Sequence, residues 1–302
     1  MNTRIASIFV LLVVSAAGSF TPILATTYQS WGLSSWVIYV CRYFGSGVIL
    51  ATAFIHLLGE SNTSFANPCL GEAAREYLWG SALALIGVFT MFTIELASQR
   101  IVDMKDARRR RHVAAATDIN FAGLTDDPNC ASHTRNIADA FQKLFNIFLL
   151  EFGIVFHSVF VGLSMAVAGD QFMTLFIVIS FHQFFEGLGL GSRFATAQWP
   201  PKMKWYPSYL ALAYSLTTPI GIAAGLGVRH LYLSNDSRSL LIVGIFDGFN
   251  SGLLIYGSLI ELMGRDFLMN PEMKKRSNSW LILAYAMFIL GTLFMALVGK
   301  WA

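Results

Sequence analysis

Charge is what this sequence has least of. Asp, Glu, Lys and Arg make up 13% of its 302 residues, about half the share of a soluble domain. Cysteine is scarcer still: Cys41, Cys69 and Cys130 are the three, each in a different segment, with no CxxC pair. That spacing excludes both a disulfide framework and a zinc ribbon. Six histidines are spread without a tract. The net charge of +3 is too small and too scattered for a nucleic-acid surface, so no nucleic-acid partner is expected. Low-complexity runs and a repeat between halves are also lacking. What is abundant is apolar surface: 55% of residues are hydrophobic and the mean hydropathy is +0.56. Such a chain has a lipid bilayer as its solvent.

A helix needs about 20 mainly apolar residues to cross the hydrocarbon core. Eight stretches qualify, over 5–27, 36–58, 77–99, 145–168, 172–193, 207–229, 239–262 and 280–300. The fold class is therefore all-α, a single polytopic domain spanning 1–302. The first stretch is longer than a signal-peptide core, and Ala17-Gly18-Ser19 inside it makes a poor cleavage site, so it is read as a retained helix. Basic residues set the orientation, because cytoplasmic loops collect them. Fifteen Lys and Arg fall in the loops after helices three, five and seven against five on the other side, with Arg42 near a helix end. Both termini are then extracellular or luminal. The sequons Asn62-Thr63-Ser64 and Asn235-Asp236-Ser237 fall in outer loops on this reading. The segment 100–143, with its Arg108 to Arg111 run and Thr125-Asp126-Asp127-Pro128-Asn129, is expected as a cytoplasmic loop that fixes topology. Its soft ligands His112, Cys130 and His133 are irregularly spaced and make a poor metal site.

Ionisable residues are costly inside a bilayer, so those found there are functional candidates. His157 and Ser158 fall at the midpoint of helix four, and His182 and Gln183 at that of helix five. Glu186 follows one turn later. The short Gly169-Asp170-Gln171 turn makes these helices antiparallel neighbours and sets the two histidines level. His182 and Glu186, spaced i, i+4, share a helical face. Two imidazoles and a carboxylate suit a borderline-soft cation, zinc first, with iron(II), manganese or cadmium tolerated. Water, Ser158 or Gln183 would complete the shell, and an incomplete shell suits an ion that must leave. His56 and Glu60 are expected at the outer end of helix two, as an acidic mouth that gathers cations. Asp247 and Asn250 in the outer half and middle of helix seven, and Glu261 near its inner end, extend the candidate path. Glu95 and Glu151 sit toward the cytoplasmic helix ends, where water is expected to reach them. Thr217-Thr218-Pro219 is expected to interrupt helix six, since proline removes a backbone hydrogen bond.

Several of these residues carry a family resemblance. His157-Ser158-Val159-Phe160-Val161-Gly162-Leu163-Ser164 and His182-Gln183-Phe184-Phe185-Glu186-Gly187 resemble the paired signatures of the ZIP (Zrt/Irt-like) transporters. Arg4-Ile5-Ala6, Arg42-Tyr43-Phe44-Gly45-Ser46-Gly47-Val48 through His56, and Thr217-Thr218-Pro219-Ile220-Gly221 add to the likeness. It covers nearly the whole chain. The resemblance implies an eight-helix homodimer with both termini outside, moving zinc or a related divalent ion into the cytosol by an elevator-like motion. It makes His157, His182 and Glu186 the principal ligands, with Ser158 and Gln183 beside them. Val161 and Gln183 stand where some relatives have acids, which points to one ion rather than a two-metal centre. Gly59 stands where the family's outer motif has proline, and the His-rich cytoplasmic loop of many relatives is missing.

The expectation is thus a multi-pass transporter of a divalent ion, in the plasma membrane or, alternatively, an organellar one. It has no cofactor, the metal being cargo. A metal sensor without flux is one alternative. An intramembrane zinc enzyme with Glu186 as general base is another, although no HExxH pair is present.

Overall fold

The computed structural model describes residues 2–27, 35–117, 128–228 and 237–301. Eight long helices, each apolar enough to cross a membrane, account for the spans, and no strand occurs among the described residues. Helices satisfy every backbone N–H and C=O within the segment, which lipid cannot do for them. α1 is Asn2–Thr27. α2 is Ser35–Ala51, continued through a π-helical stretch, Thr52–Leu57, into Leu58–Phe65. α3 is Trp79–Thr117, α4 Pro128–Val167, α5 Phe172–Thr196 and α6 Tyr206–Val228. α7 is Ser237–Gly257, continued by a second π-helical stretch, Ser258–Met269, and α8 is Asn278–Val298.

Three expectations change. The segment expected as a loop over 100–143 is helical to Thr117 and again from Pro128. Its Ala, Arg and Lys residues are strong helix formers that keep the backbone ladder running past the membrane. Residues 118–127, and the side chains of His112, Cys130 and His133, lie outside the described residues. α2 runs on to Phe65, so Asn62 of the first sequon sits within a helix, donating to Ser81 Oγ at 3.4 Å. Asn235 and Asp236 of the second sequon also lie outside the described residues. α6 stays helical through Pro219. Thr217, two residues earlier, donates its hydroxyl to the Ala213 carbonyl at 2.6 Å.

The helices pack as two groups. α1, α4, α5 and α6 form one, while α2 pairs with α8 and α3 with α7 to form the other. Small residues set these contacts, because apolar side chains gain little by leaving lipid for one another and close backbone approach must supply the attraction. The groups meet where α2 crosses α5 and where α4 crosses α7. At the first crossing a Cβ built on Gly45 would fall on the Cα of Gly189. Arg4 ties the turn after α4: its guanidinium donates to the carbonyls of Ala166, at 2.6 Å, and Ala168, and lies over the Phe172 ring. A cation on the last carbonyls of a helix complements the dipole there.

Candidate metal pathway

Three imidazoles meet in the core. His157 on α4 and His182 on α5 have ring centroids 5.8 Å apart, and His56 on α2 stands 5.1 Å from His182. Two imidazoles sharing a tetrahedral zinc, with Zn–N near 2.0–2.1 Å, would have centroids about 5 Å apart. The rings are thus spaced for a shared ion. Among the described residues, however, no three His, Cys, Asp or Glu side chains form a finished coordination shell. Glu186 lies below His182 on the same face, its Oε2 3.5 Å from Nε2.

His56 is the main departure from expectation: it is buried beside His182 rather than standing at an outer mouth. The cause is length. α2 continues nine residues beyond it, and the π-helical stretch Thr52–Leu57 contains it. Such bulges shift the register of a face and recur at functional sites. Glu60, one turn on and half-buried, faces Asp247 of α7.

The site is buried and its polar side-chain atoms are largely unpaired. His56 Nε2, both nitrogens of His157 and His182, Ser158 Oγ, Glu186 Oε1 and Asp247 Oδ1 are buried without a hydrogen-bond partner. Native cores leave few such groups, so a concentration of them marks a place that a ligand or water fills. The other candidates divide. Asn250 donates to the Gly153 carbonyl at 2.9 Å, tying α7 to α4 and leaving its Oδ1 unpaired. Gln183 is already engaged: its amide donates to Thr218 and accepts the Tyr214 hydroxyl at 2.6 Å, fastening α5 to α6. Glu261 stands apart at the basic end, accepting from Asn146 at 2.7 Å and pairing with Arg265 at 3.0 Å.

Glu95 and Glu151, expected at water-reached helix ends, are both buried. Glu95 is held by Arg265, Gln99 and the Tyr256 hydroxyl. Glu151 has no partner on either oxygen. Glu151 is over twenty residues into α4, where the helix packs against α6 and α7 rather than ending in water.

Two cavities flank the cluster. A small one of about 50 Å³ is lined by His56, Glu60, His157, Ser164 and His182 together with apolar residues. A larger one of about 410 Å³ opens at the basic end, between Arg42, Asn146, Arg193, Glu261, Arg265 and Asp266. There Asp266 accepts from Arg42 at 2.6 Å and Arg193 at 3.0 Å, pairing α7 with α2 and α5. An apolar cluster that includes Leu57, Leu150, Ile154, Leu190, Phe194 and Leu254 packs beside the site, and its Leu150 lines the larger cavity.

Fold and site together define a multi-pass membrane protein with ligand-type side chains gathered between two helix groups and a cavity at either side. The chain belongs to the ZIP Zinc transporter family, whose model matches residues 1–299. It is 32% identical to Zinc-regulated transporter 2 of Saccharomyces cerevisiae, covering 99% of this chain and 94% of that one. It is 36% identical to Zinc-regulated transporter 1 of Schizosaccharomyces pombe, over 100% and 86% of the two chains. Fe(2+) transport protein 1 of Arabidopsis thaliana is 29% identical over 99% of this chain and 85% of its own.

Proposed function

We propose that this protein carries zinc across a membrane into the cytosol by alternating access, with His56, His157, His182 and Glu186 as the ligands that hold the ion in transit. The observation that carries the reading is the cluster of buried imidazole nitrogens and carboxylate oxygens without partners, drawn from both helix groups, with His56, His157 and His182 lining one cavity. The names of the relatives, zinc-regulated in the yeasts and Fe(2+) in the plant, support a divalent ion with zinc first. An imidazole-rich site suits zinc and admits iron(II), manganese and cadmium.

In this reading Glu60 and Asp247 attract the hydrated cation at the outer side, where two carboxylates make a negative mouth. The imidazoles then replace part of its water. Ser158 adds an oxygen, and Asn250 supplies its unpaired Oδ1 nearby. The ligand set is divided between bodies: His157, Ser158, His182 and Glu186 belong to one helix group, His56, Glu60, Asp247 and Asn250 to the other. A shift of one group against the other therefore separates ligands and weakens the site, which is how a tightly held ion is released. The apolar layer blocks an open pore, and the cavity around Glu261 receives the ion. The excess of basic residues beside that cavity supports a cytoplasmic position for it, with both termini outside. Plasma membrane and homodimeric assembly complete the proposal.

Radiolabelled zinc uptake into proteoliposomes tests it. The parent should accumulate zinc down its gradient, and His157→Ala, His182→Ala and Glu186→Gln should each reduce uptake by tenfold or more. Zinc binding without flux would establish the sensor reading instead. Competition by iron(II), manganese and cadmium in the same assay ranks the ions.

A further inference from the structure

Glu151 has no role in the pathway described so far, and its surroundings give it one. Its residue is 4% exposed and Glu186 is 0% exposed. Both oxygens of Glu151 and Oε1 of Glu186 lack partners. Glu186 is the charged group that acts most on Glu151, and among the described residues no Lys or Arg forms an ion pair with Glu151. The remaining oxygen of Glu186 lies 3.5 Å from His182 and 3.4 Å from the Tyr214 hydroxyl. Around them stand Leu150, Ile154, Leu190 and Leu254. Two carboxylates in an apolar layer, with no donor on Glu151 and one oxygen of Glu186 unpaired, need either a proton or a cation to offset their charge there.

Depth makes the arrangement directional. α4 and α5 run in opposite senses, so six residues from His157 back to Glu151 and four from His182 on to Glu186 both lead toward the basic end. At 1.5 Å per residue these are steps of about 9 and 6 Å. The two carboxylates are therefore nearly level, just below the imidazoles. One residue further, Leu150 already lines the larger cavity, followed by Ile147 and by Asn146, which donates to Glu261.

We propose that Glu151 and Glu186 form a second cation position, made of carboxylate oxygens, that takes the ion from the imidazoles and hands it on toward Glu261. Glu186 is the pivot: one oxygen faces His182, and the other is free for the lower position. A single ion occupies the two positions in turn. Oxygen ligands hold zinc less firmly than imidazole does and suit harder ions such as manganese. The step therefore lowers zinc affinity along the exit path, and it presupposes the transport reading above.

The test uses purified full-length protein, in detergent for binding and in proteoliposomes for uptake. Glu151→Gln should lower the maximal zinc uptake rate by about tenfold while leaving the half-saturating zinc concentration within twofold. Glu151→Asp, which keeps the charge, should recover part of the rate. In a His157→Ala/His182→Ala background, weak manganese binding should persist and disappear when Glu151→Gln is added. Parent-like uptake by Glu151→Gln overturns the proposal. So does manganese binding in the double-histidine background that is indifferent to Glu151, the result expected of a carboxyl pair merely sharing a proton. If Glu151→Gln does not fold, Glu151→Asp decides the matter: its manganese affinity should differ from the parent's, and an unchanged affinity overturns the proposal. Failure of the transport reading itself would look different: the parent would pass no zinc, whatever stood at position 151.

Discussion

At the scale of single residues, the position of His56 separates two roles with different signatures. A mouth residue acts through the field it adds to, which salt screens over about 10 Å at 0.1 M. A ligand acts by contact. His56 is buried 5.1 Å from His182, so His56→Ala should raise the half-saturating zinc concentration by about ten- to a hundredfold, at least the scale seen on removing a supporting group from a metal site. That defect should be the same at low and high ionic strength. Glu60→Gln, acting at the mouth, should instead give a smaller defect that fades as salt is added. Initial uptake rates at two salt concentrations check both, and a His56→Ala defect that salt abolishes would return His56 to the mouth. The sequence made His157, His182 and Glu186 legible, because ionisable groups at mid-membrane depth are rare enough to stand out. It misplaced His56, since depth was counted from a helix end drawn at position 58. It held no hint that Gln183 spends its amide on Thr218 and Tyr214, because partners on another helix leave no trace in local spacing.

At the scale of elements, the same contrast holds between what hydropathy reports and what packing decides. The eight apolar runs could be read at once, and their order fixed the spans. Hydropathy cannot see where a helix ends in water, which is why α3 and α4 run on past the expected limits to Thr117 and back to Pro128. Nor can it see the π-helical stretches, whose shift in register depends on tertiary contacts. The α2–α5 crossing is one such contact. Both groups of helices must pass each other there if the ligand set is to separate, and Gly45 faces Gly189 with no room for a methyl group. Gly45→Val should force the crossing open, costing about 1–3 kcal/mol as overpacked cores do and abolishing most uptake. Gly59, with open space where its Cβ would be, is the control. Gly59→Ala should be neutral or stabilising by up to about 1 kcal/mol, the helix preference for alanine. Thermal unfolding in detergent, followed by uptake on the same preparations, measures both. Equal damage from the two substitutions would mean that the crossing is not the constraint.

At the scale of the whole molecule, direction of transport depends on which face the basic end occupies, and a native side chain reports it. Cys69 is exposed in the connection between α2 and α3, where Asn67 caps a short turn by accepting from its backbone N–H at 3.0 Å. Cys41 is half-buried within α2, among the helices. In the proposed orientation the α2–α3 connection lies outside, on the same side as Glu60 and the small cavity. A membrane-impermeant maleimide applied to intact cells should therefore label the protein, and Cys69→Ser should remove that label. Cys130, near the start of α4 in the stretch that the asymmetry assigns to the cytosol, should react only after permeabilisation. The pattern ties the outer mouth to the cell exterior and the cavity at Glu261 to the cytosol, so zinc passing from the first to the second is uptake. Labelling of Cys130 on intact cells, with Cys69 protected until the membrane is opened, would reverse the molecule and turn the same ligands into an export path.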